Sequence, residues 1–249
     1  MSKIQNLLQA FPQNVVLTTQ LLAAQGYSPQ LMQKYLDSGW VERVGIGAYK
    51  RKHEKVSWVG ALWALMQEMA DTRISGRTAL EIQGYEHFLS LGRRVVYVSH
   101  DRTTLIPKWI KNYDFGVDFV FIRSDHVEAS EINNITLEGL DIRSSSLERA
   151  AFEVCLGIPK YYTYDSALYF FESLTSLRAY IVQQVLEESK NIKAKRLFLH
   201  FADHSKHQWF SELNLSKIDL GSGKRQIFAD GVFDPHYLIT VPKSTNFGQ

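Results

Sequence analysis

The stretch that most restricts what this chain can fold into runs from Val15 to Lys52, VVLTTQLLAAQGYSPQLMQKYLDSGWVERVGIGAYKRK. It reads as a helix, a tight turn, a second helix and a two-stranded ribbon ending in basic residues. Leu21, Leu22 and Ala24 give the first helix an apolar side, Thr18 or Thr19 caps it, and Gly26 supplies the left-handed residue at its end. Ser28 followed by Pro29 starts the second helix, because the hydroxyl takes up a free amide and the ring has the φ a first turn needs. Between Pro29 and Ser38, Leu31, Met32, Tyr35 and Leu36 gather on one side, while Gln30, Gln33, Lys34 and Asp37 face away. Gly39 stops the helix. Trp40 to Val44 is then expected as a strand, Gly45-Ile46-Gly47 as the turn and Ala48 to Lys52 as the return strand.

That order is the order of a winged helix-turn-helix. Gln30, Gln33 and Lys34 are side-chain types that bond base edges in the major groove of double-stranded DNA. Ser28 would lie near a phosphate at the helix start, and Arg43, Lys50, Arg51 and Lys52 would hold phosphates from the ribbon. Between Pro29 and Lys55 six Lys/Arg stand against three Asp/Glu, a surplus that favours a polyanionic partner. The same spacing also fits a helical hairpin with a solvated ribbon and no nucleic acid.

At 249 residues the chain has room for two domains or one large one. Its 45% hydrophobic and 12% aromatic content excludes a disordered chain. The single cysteine, Cys155, excludes an internal disulfide framework and fits a reducing cytoplasm. The start, MSKIQNLLQAFPQN, lacks the apolar run of a signal peptide, and no stretch reaches transmembrane length, so a cytoplasmic location without a membrane partner is expected. The net charge of +2 hides a balance of +4 over residues 1–100, −6 over 101–189 and +4 over 190–249. Basic ends around an acidic middle place any polyanion at the ends.

Taken in order, Ser2 is expected to cap a first helix that packs Ile4, Leu7, Leu8 and Phe11 and closes at Pro12. Ser57 caps a helix running to about Met69 that is apolar nearly all round, the pattern of an element buried on two sides. In ISGRTALEIQGYEHFL, Ile74 to Leu89, Ser75 and Gly76 open a short helix that Gly84 ends. At this point the chain resembles the N-terminal half of AbiEi-type antitoxins of bacterial type IV toxin–antitoxin systems. Gly39, Trp40, Arg43, Gly47 and Tyr49 in GWVERVGIGAYKR match one motif of that family; Ser75, Gly76, Ala79, Leu80 and Gly84 match another.

Arg94 to Ser99, Val117 to Ile122 and Leu137 to Arg143 read as strands, with a short helix starting at Pro107-Lys108-Trp109 between the first two. Ser145-x-x-Glu148 reads as a capping box opening a helix from Leu147 to Leu156, which explains the run Ser144-Ser145-Ser146 better than a nucleophile does. Helices follow at Tyr164–Phe171, Ser173–Ser189 and Ile192–Ala202. SLERAAFEVCLG, KAKRLFLHFADHSKHQWF and IDLGSGKRQIFADGVFDPHYLITVP resemble the C-terminal domain of the same antitoxin family, so the ordered matches run from about Leu17 to Pro242.

Two constellations invite other chemistry. His200, His204 and His207 fall at i, i+4 and i+7, but no cysteine joins them and no metal site is assigned. Leu220-Gly221-Ser222-Gly223-Lys224-Arg225 lacks P-loop spacing and reads as a Gly-rich turn into a strand from Gln226 to Ala229. Lys224 and Arg225 would form an anion-binding patch with Lys195 and Arg196 if the fold joins them. No paired carboxylates, Ser/His/Asp set or Cys/His dyad stands out, so no catalytic residue and no cofactor is assigned, and an enzyme is not expected.

The expected fold is α+β: a winged helix-turn-helix DNA-binding domain over residues 1–92, then a larger mixed α/β and helical antitoxin domain over 93–249. The resemblance implies that the first domain binds inverted repeats in promoter DNA and represses its own operon. It implies that the second counters a nucleotidyltransferase toxin, without requiring a stable complex. The alternatives are an enzyme acting on nucleic acid through the C-terminal basic face, and a protein-interaction module whose wing and helix dock another protein.

Overall fold

The computed structural model describes residues 3–85, 92–100, 103, 105–123 and 132–243; Ser2 and residues 86–89 of the Ile74 to Leu89 segment lie outside them. The chain is α+β and divides into two compact units. One comprises Met1–Ile74, Ser90–Asp125 and Asn133–Ser144, the other Ser75–Leu89, His126–Ile132 and Ser145–Gln249.

The first unit opens with α1 (Lys3–Ala10), β1 (Leu17–Thr18), α2 (Thr19–Ala24), α3 (Pro29–Asp37), β2 (Val41–Gly45) and β3 (Ala48–Arg51). The ribbon has three strands where two were expected. β1 pairs antiparallel with β3, Leu17 opposite Tyr49 and Thr18 opposite Ala48, giving the order β1-β3-β2. Two residues are too short for a period of two to register, and Val15, Val16 and Leu17 are all fully buried, so nothing alternates. Next, α4 (Trp58–Glu68) is capped by Ser57, whose hydroxyl accepts from the Gly60 amide at 3.2 Å. Seven of its residues are buried, as the all-round apolar pattern requires. Its Gly60 is obligatory: a Cβ there would fall 1.9 Å from the carbonyl oxygen of Asn14.

A five-stranded sheet completes this unit, built from β4 (Arg73–Ile74), β5 (Arg94–His100), β6 (Val117–Arg123), β7 (Ile132–Leu137) and β8 (Leu140–Ser145) in the order β6-β5-β4-β8-β7. β5 and β6 are parallel along their full length, with α6 (Lys108–Asn112) between them in sequence. The strand expected over Leu137–Arg143 is in fact a hairpin. Glu138 and Gly139 both take positive φ, 50° and 76°, and so turn the chain tightly where continuous β pattern was read. The Arg143 side chain donates to the carbonyls of Met66, Met69 and Thr72 at 2.6, 2.9 and 3.0 Å, tying β8 to the end of α4.

The second unit packs α5 (Gly76–Ile82), α7 (Leu147–Gly157), α8 (Tyr164–Ser173), α9 (Ala179–Glu188), α10 (Ile192–Ser205) and α11 (Gln208–Ser211) with the hairpin β9 (Val232–Asp234) and β10 (Ile239–Val241). Phe171 lies at its centre, 4.9 Å from the Phe198 ring and 5.2 Å from Phe201. The expected capping box does not form: Ser145 stays in β8, and Ser146 alone caps the helix by accepting from the Arg149 amide. Glu148 turns away to accept from the backbone amide and guanidinium of Arg178 at 2.8–2.9 Å. The long helix begins at Ala179, not Ser173, and α10 continues to Ser205 before Lys206 ends it at φ 52°. Gln226–Ala229 forms no strand. Instead, Arg225 bridges to Ile239, and Thr240 Oγ1 accepts from the amides of Ile227 and Phe228. Among the described residues no helix is long and apolar enough to cross a membrane.

Candidate nucleic-acid interface

The helix pair in the first unit is built by its caps. Thr18 Oγ1 accepts from the Leu21 amide at 3.3 Å and also meets Glu68; Gly26, at φ 77°, turns the chain out of α2. Only Leu22 of the expected apolar stripe is buried, while Leu21 is partly covered and Ala24 is exposed. Ser28 Oγ accepts from the Leu31 amide at 3.3 Å, so this hydroxyl caps α3, and Pro29 occupies its first turn. Met32 is buried, which turns Gln30, Gln33 and Lys34 to solvent, and all three are exposed. Gln33 Nε2 donates to Asp37 Oδ1 at 2.8 Å, an exposed bond of little net worth that base contacts can replace.

The ribbon sorts its cations differently from the sequence reading. Arg43 is exposed, with its guanidinium 5.6 Å from the centre of the Tyr49 ring, and Lys52 is exposed. Lys50 is half-buried, paired with Glu42 at 2.8 Å across the two strands and bonded to the Glu54 carbonyl at 3.0 Å. The bond to Glu42 raises the Lys50 pKa and holds that of Glu42 down, so this cation is already compensated. Arg51 corrects the expectation outright. It is only 5% exposed and donates to the carbonyls of Phe11 and Pro12 at 2.7 Å and to Glu54 at 3.1 Å. It cannot reach a phosphate without abandoning these partners. Side chains alternate along a strand, and since Tyr49 points inward, Arg51 must follow it. The sequence carries that alternation, which pairs Arg51 with Tyr49, but not which of the two faces meets the core.

The hairpin is also braced from two directions. The Gly47 carbonyl accepts from the Thr19 amide at 2.8 Å, tying the turn to the start of α2. On β2, α6 lies so close that a Cβ on Gly45 would come 2.8 Å from Trp109 Cβ.

The C-terminal basic patch does not form as expected. Lys195 and Arg196 are buried, 2% and 1% exposed. Lys195 donates to the Asp219 carbonyl at 3.0 Å. Arg196 donates to the carbonyls of Leu220, Gly223, Leu238 and Gly221 at 2.8, 2.7, 3.1 and 3.2 Å. The Gly-rich turn thus aims carbonyls at a cation of its own chain, the reverse of a phosphate loop, which aims amides at an anion. Lys224 and Arg225 remain on the outside, the first 4.6 Å over the Phe233 ring. Two of the three histidines, His200 and His207, are likewise occupied within the fold, and His204 is exposed. His200 bonds Asp234 through Nδ1 at 2.7 Å and the Tyr164 hydroxyl through Nε2 at 2.8 Å, and His207 meets the Phe171 carbonyl at 2.7 Å. Burial lowers the His200 pKa, with Asp234 opposing that shift. Among the described residues no three His, Cys, Asp or Glu side chains are grouped to hold a metal.

Residues 1–91 match the family described as transcriptional regulator, AbiEi antitoxin N-terminal domain. Residues 93–242 match transcriptional regulator, AbiEi antitoxin, type IV TA system. Among solved structures the chain is similar to the RV2827C protein from Mycobacterium tuberculosis, with a TM-score of 0.64 over 95% of this chain and 88% of that one. At 12% identity this likeness speaks for the fold alone. No curated protein sequence matches. With both matches in succession along its length, the chain belongs to the AbiEi antitoxin family of transcriptional regulators of type IV toxin–antitoxin systems.

Proposed function

We propose that this protein is a cytoplasmic DNA-binding antitoxin that represses its own operon and counters a nucleotidyltransferase toxin of the same system. The observation that carries the DNA-binding part is the orientation of α3. Met32 is buried, Leu31, Tyr35 and Leu36 are partly covered, and its amide and lysine side chains face solvent. In this reading residues 1–92 act as a winged helix-turn-helix on inverted repeats of the promoter, and residues 93–249 act as the antitoxin region. Gln30, Gln33 and Lys34 read base edges in the major groove, while the amides at the Ser28 end of α3, Arg43 and Lys52 hold phosphates. Lys50 joins them only by releasing Glu42, and Arg51 serves the fold.

The test is gel retardation of the full chain with the DNA upstream of its own gene, against a scrambled duplex, over a salt series. Gln33→Ala should change the preference between the two duplexes, whereas Arg43→Ala should weaken both alike and make the salt slope shallower by about one. Equal loss on both duplexes for Gln33→Ala removes that residue from base reading. Failure of the wild type to shift its own upstream DNA removes the repressor reading. The antitoxin part is tested by growth rescue when the chain is co-expressed with the neighbouring toxin gene.

A further inference from the structure

We propose that α6 is a second duplex-binding element, in which Lys108 and Lys111 hold backbone phosphates beside the hairpin. This rests on the DNA-binding reading of the first unit and extends it across the sequence boundary, because α6 lies within the 93–242 match. The helix is fixed to the hairpin by packing. Gly45 on β2 admits it, since a Cβ there would approach Trp109 Cβ to 2.8 Å and its Cα to 3.0 Å. Trp109 and Ile110 are 4% and 1% exposed, and Trp109 packs edge-on against Phe115 at 6.2 Å. Tyr113, directly after the helix, lies beside Lys50 on β3.

With Trp109 and Ile110 turned inward, the helical period leaves Lys108, Lys111 and Asn112 on the outer side, and all three are exposed. The two lysines stand at i and i+3, with Cβ atoms about 5–6 Å apart, so both can reach one strand of a duplex. Among the described residues the carboxylates that follow α6 in sequence, Asp114 and Asp118, are both engaged by Arg93, the second at 3.0 Å. The turn at Ile46-Gly47 is held to α2 by the bond from Thr19, so α6, hairpin and helix pair keep one geometry. In this proposal a duplex seated on α3 and the hairpin extends past β2 to two further cations that this packing holds in place.

The experiment compares the full-length wild type with Lys108→Gln/Lys111→Gln and Lys108→Arg/Lys111→Arg on the upstream duplex across a salt series. The glutamine pair should lose on the order of tenfold in affinity and show a salt slope shallower by about 1.8, with unchanged sequence preference. The arginine pair, which keeps both charges, should restore the slope. Wild-type slope and affinity in the glutamine pair overturn the proposal while leaving the DNA-binding reading intact. So does a loss that the arginine pair fails to restore, which marks a purely structural role. If the wild type itself binds no duplex, the underlying reading fails and the proposal falls with it.

Discussion

Replacing Arg51 with alanine removes a buried guanidinium that donates to the carbonyls of Phe11 and Pro12 and pairs with Glu54. The expected cost is about 3 kcal/mol of stability, read by urea unfolding, with duplex affinity per folded molecule unchanged. Lys52→Ala should do the opposite, weakening all duplexes while leaving the unfolding midpoint in place. These neighbours illustrate how far the site was legible. The exposure of Gln30, Gln33 and Lys34 followed from a spacing that any α-helix imposes, and the structure keeps it. The division of Lys50, Arg51 and Lys52 depended on which face of β3 meets the core, and that is a property of the sheet as a whole. Lys195 and Arg196 misled for a related reason. Their burial depends on carbonyls from 219–223 and 238, far along the chain, and no local pattern announces such a cage.

Among the elements, the long periodic ones were readable: α3, α4, β5 and β6 all stand where hydrophobic spacing puts them. Among the elements that escaped, β1 and β4 have two residues each, and their strand state is conferred by their pairing partners. The joint between β2 and α6 belongs to this scale and carries its own expectation. Gly45→Ala should cost about 1–3 kcal/mol, because the new methyl meets backbone and Cβ of Trp109, groups with little freedom to retreat. A paired change that shrinks the opposing side chain, Trp109→Ala, leaves that backbone in place and so should not rescue it. Near-additive losses in a double-mutant cycle would bear this out; a strong rescue would show that only the indole stood in the way.

At the level of the whole molecule, acid should loosen the second unit in two stages. His200 sits half-buried between Tyr164 and Asp234, with Asp203 and His204 also acting on its charge, and burial holds its pKa below the ordinary value. The unfolded chain therefore binds a proton first, so stability falls as pH drops through about 6.5 towards the folded pKa. Asp234 and Glu148 are held below the ordinary carboxylate range despite burial, by the bonds they accept. Their contributions are present above that range and vanish only as pH falls through their lowered values. Thermal melts between pH 7 and 3 should show both limbs, and His200→Gln should flatten the first while moving the second only through Asp234, which it bonds. A first limb that persists in that variant would assign it to another group.

One acceptor in the Arg196 cage, the carbonyl of Leu238, arrives more than forty residues after the guanidinium it receives. During synthesis that charge must wait for the last hairpin to emerge before it can be sheltered fully. A nascent chain halted short of Leu238 would therefore leave the guanidinium in α10 one carbonyl short, so emergence of the β9–β10 hairpin is itself a condition for this unit to close.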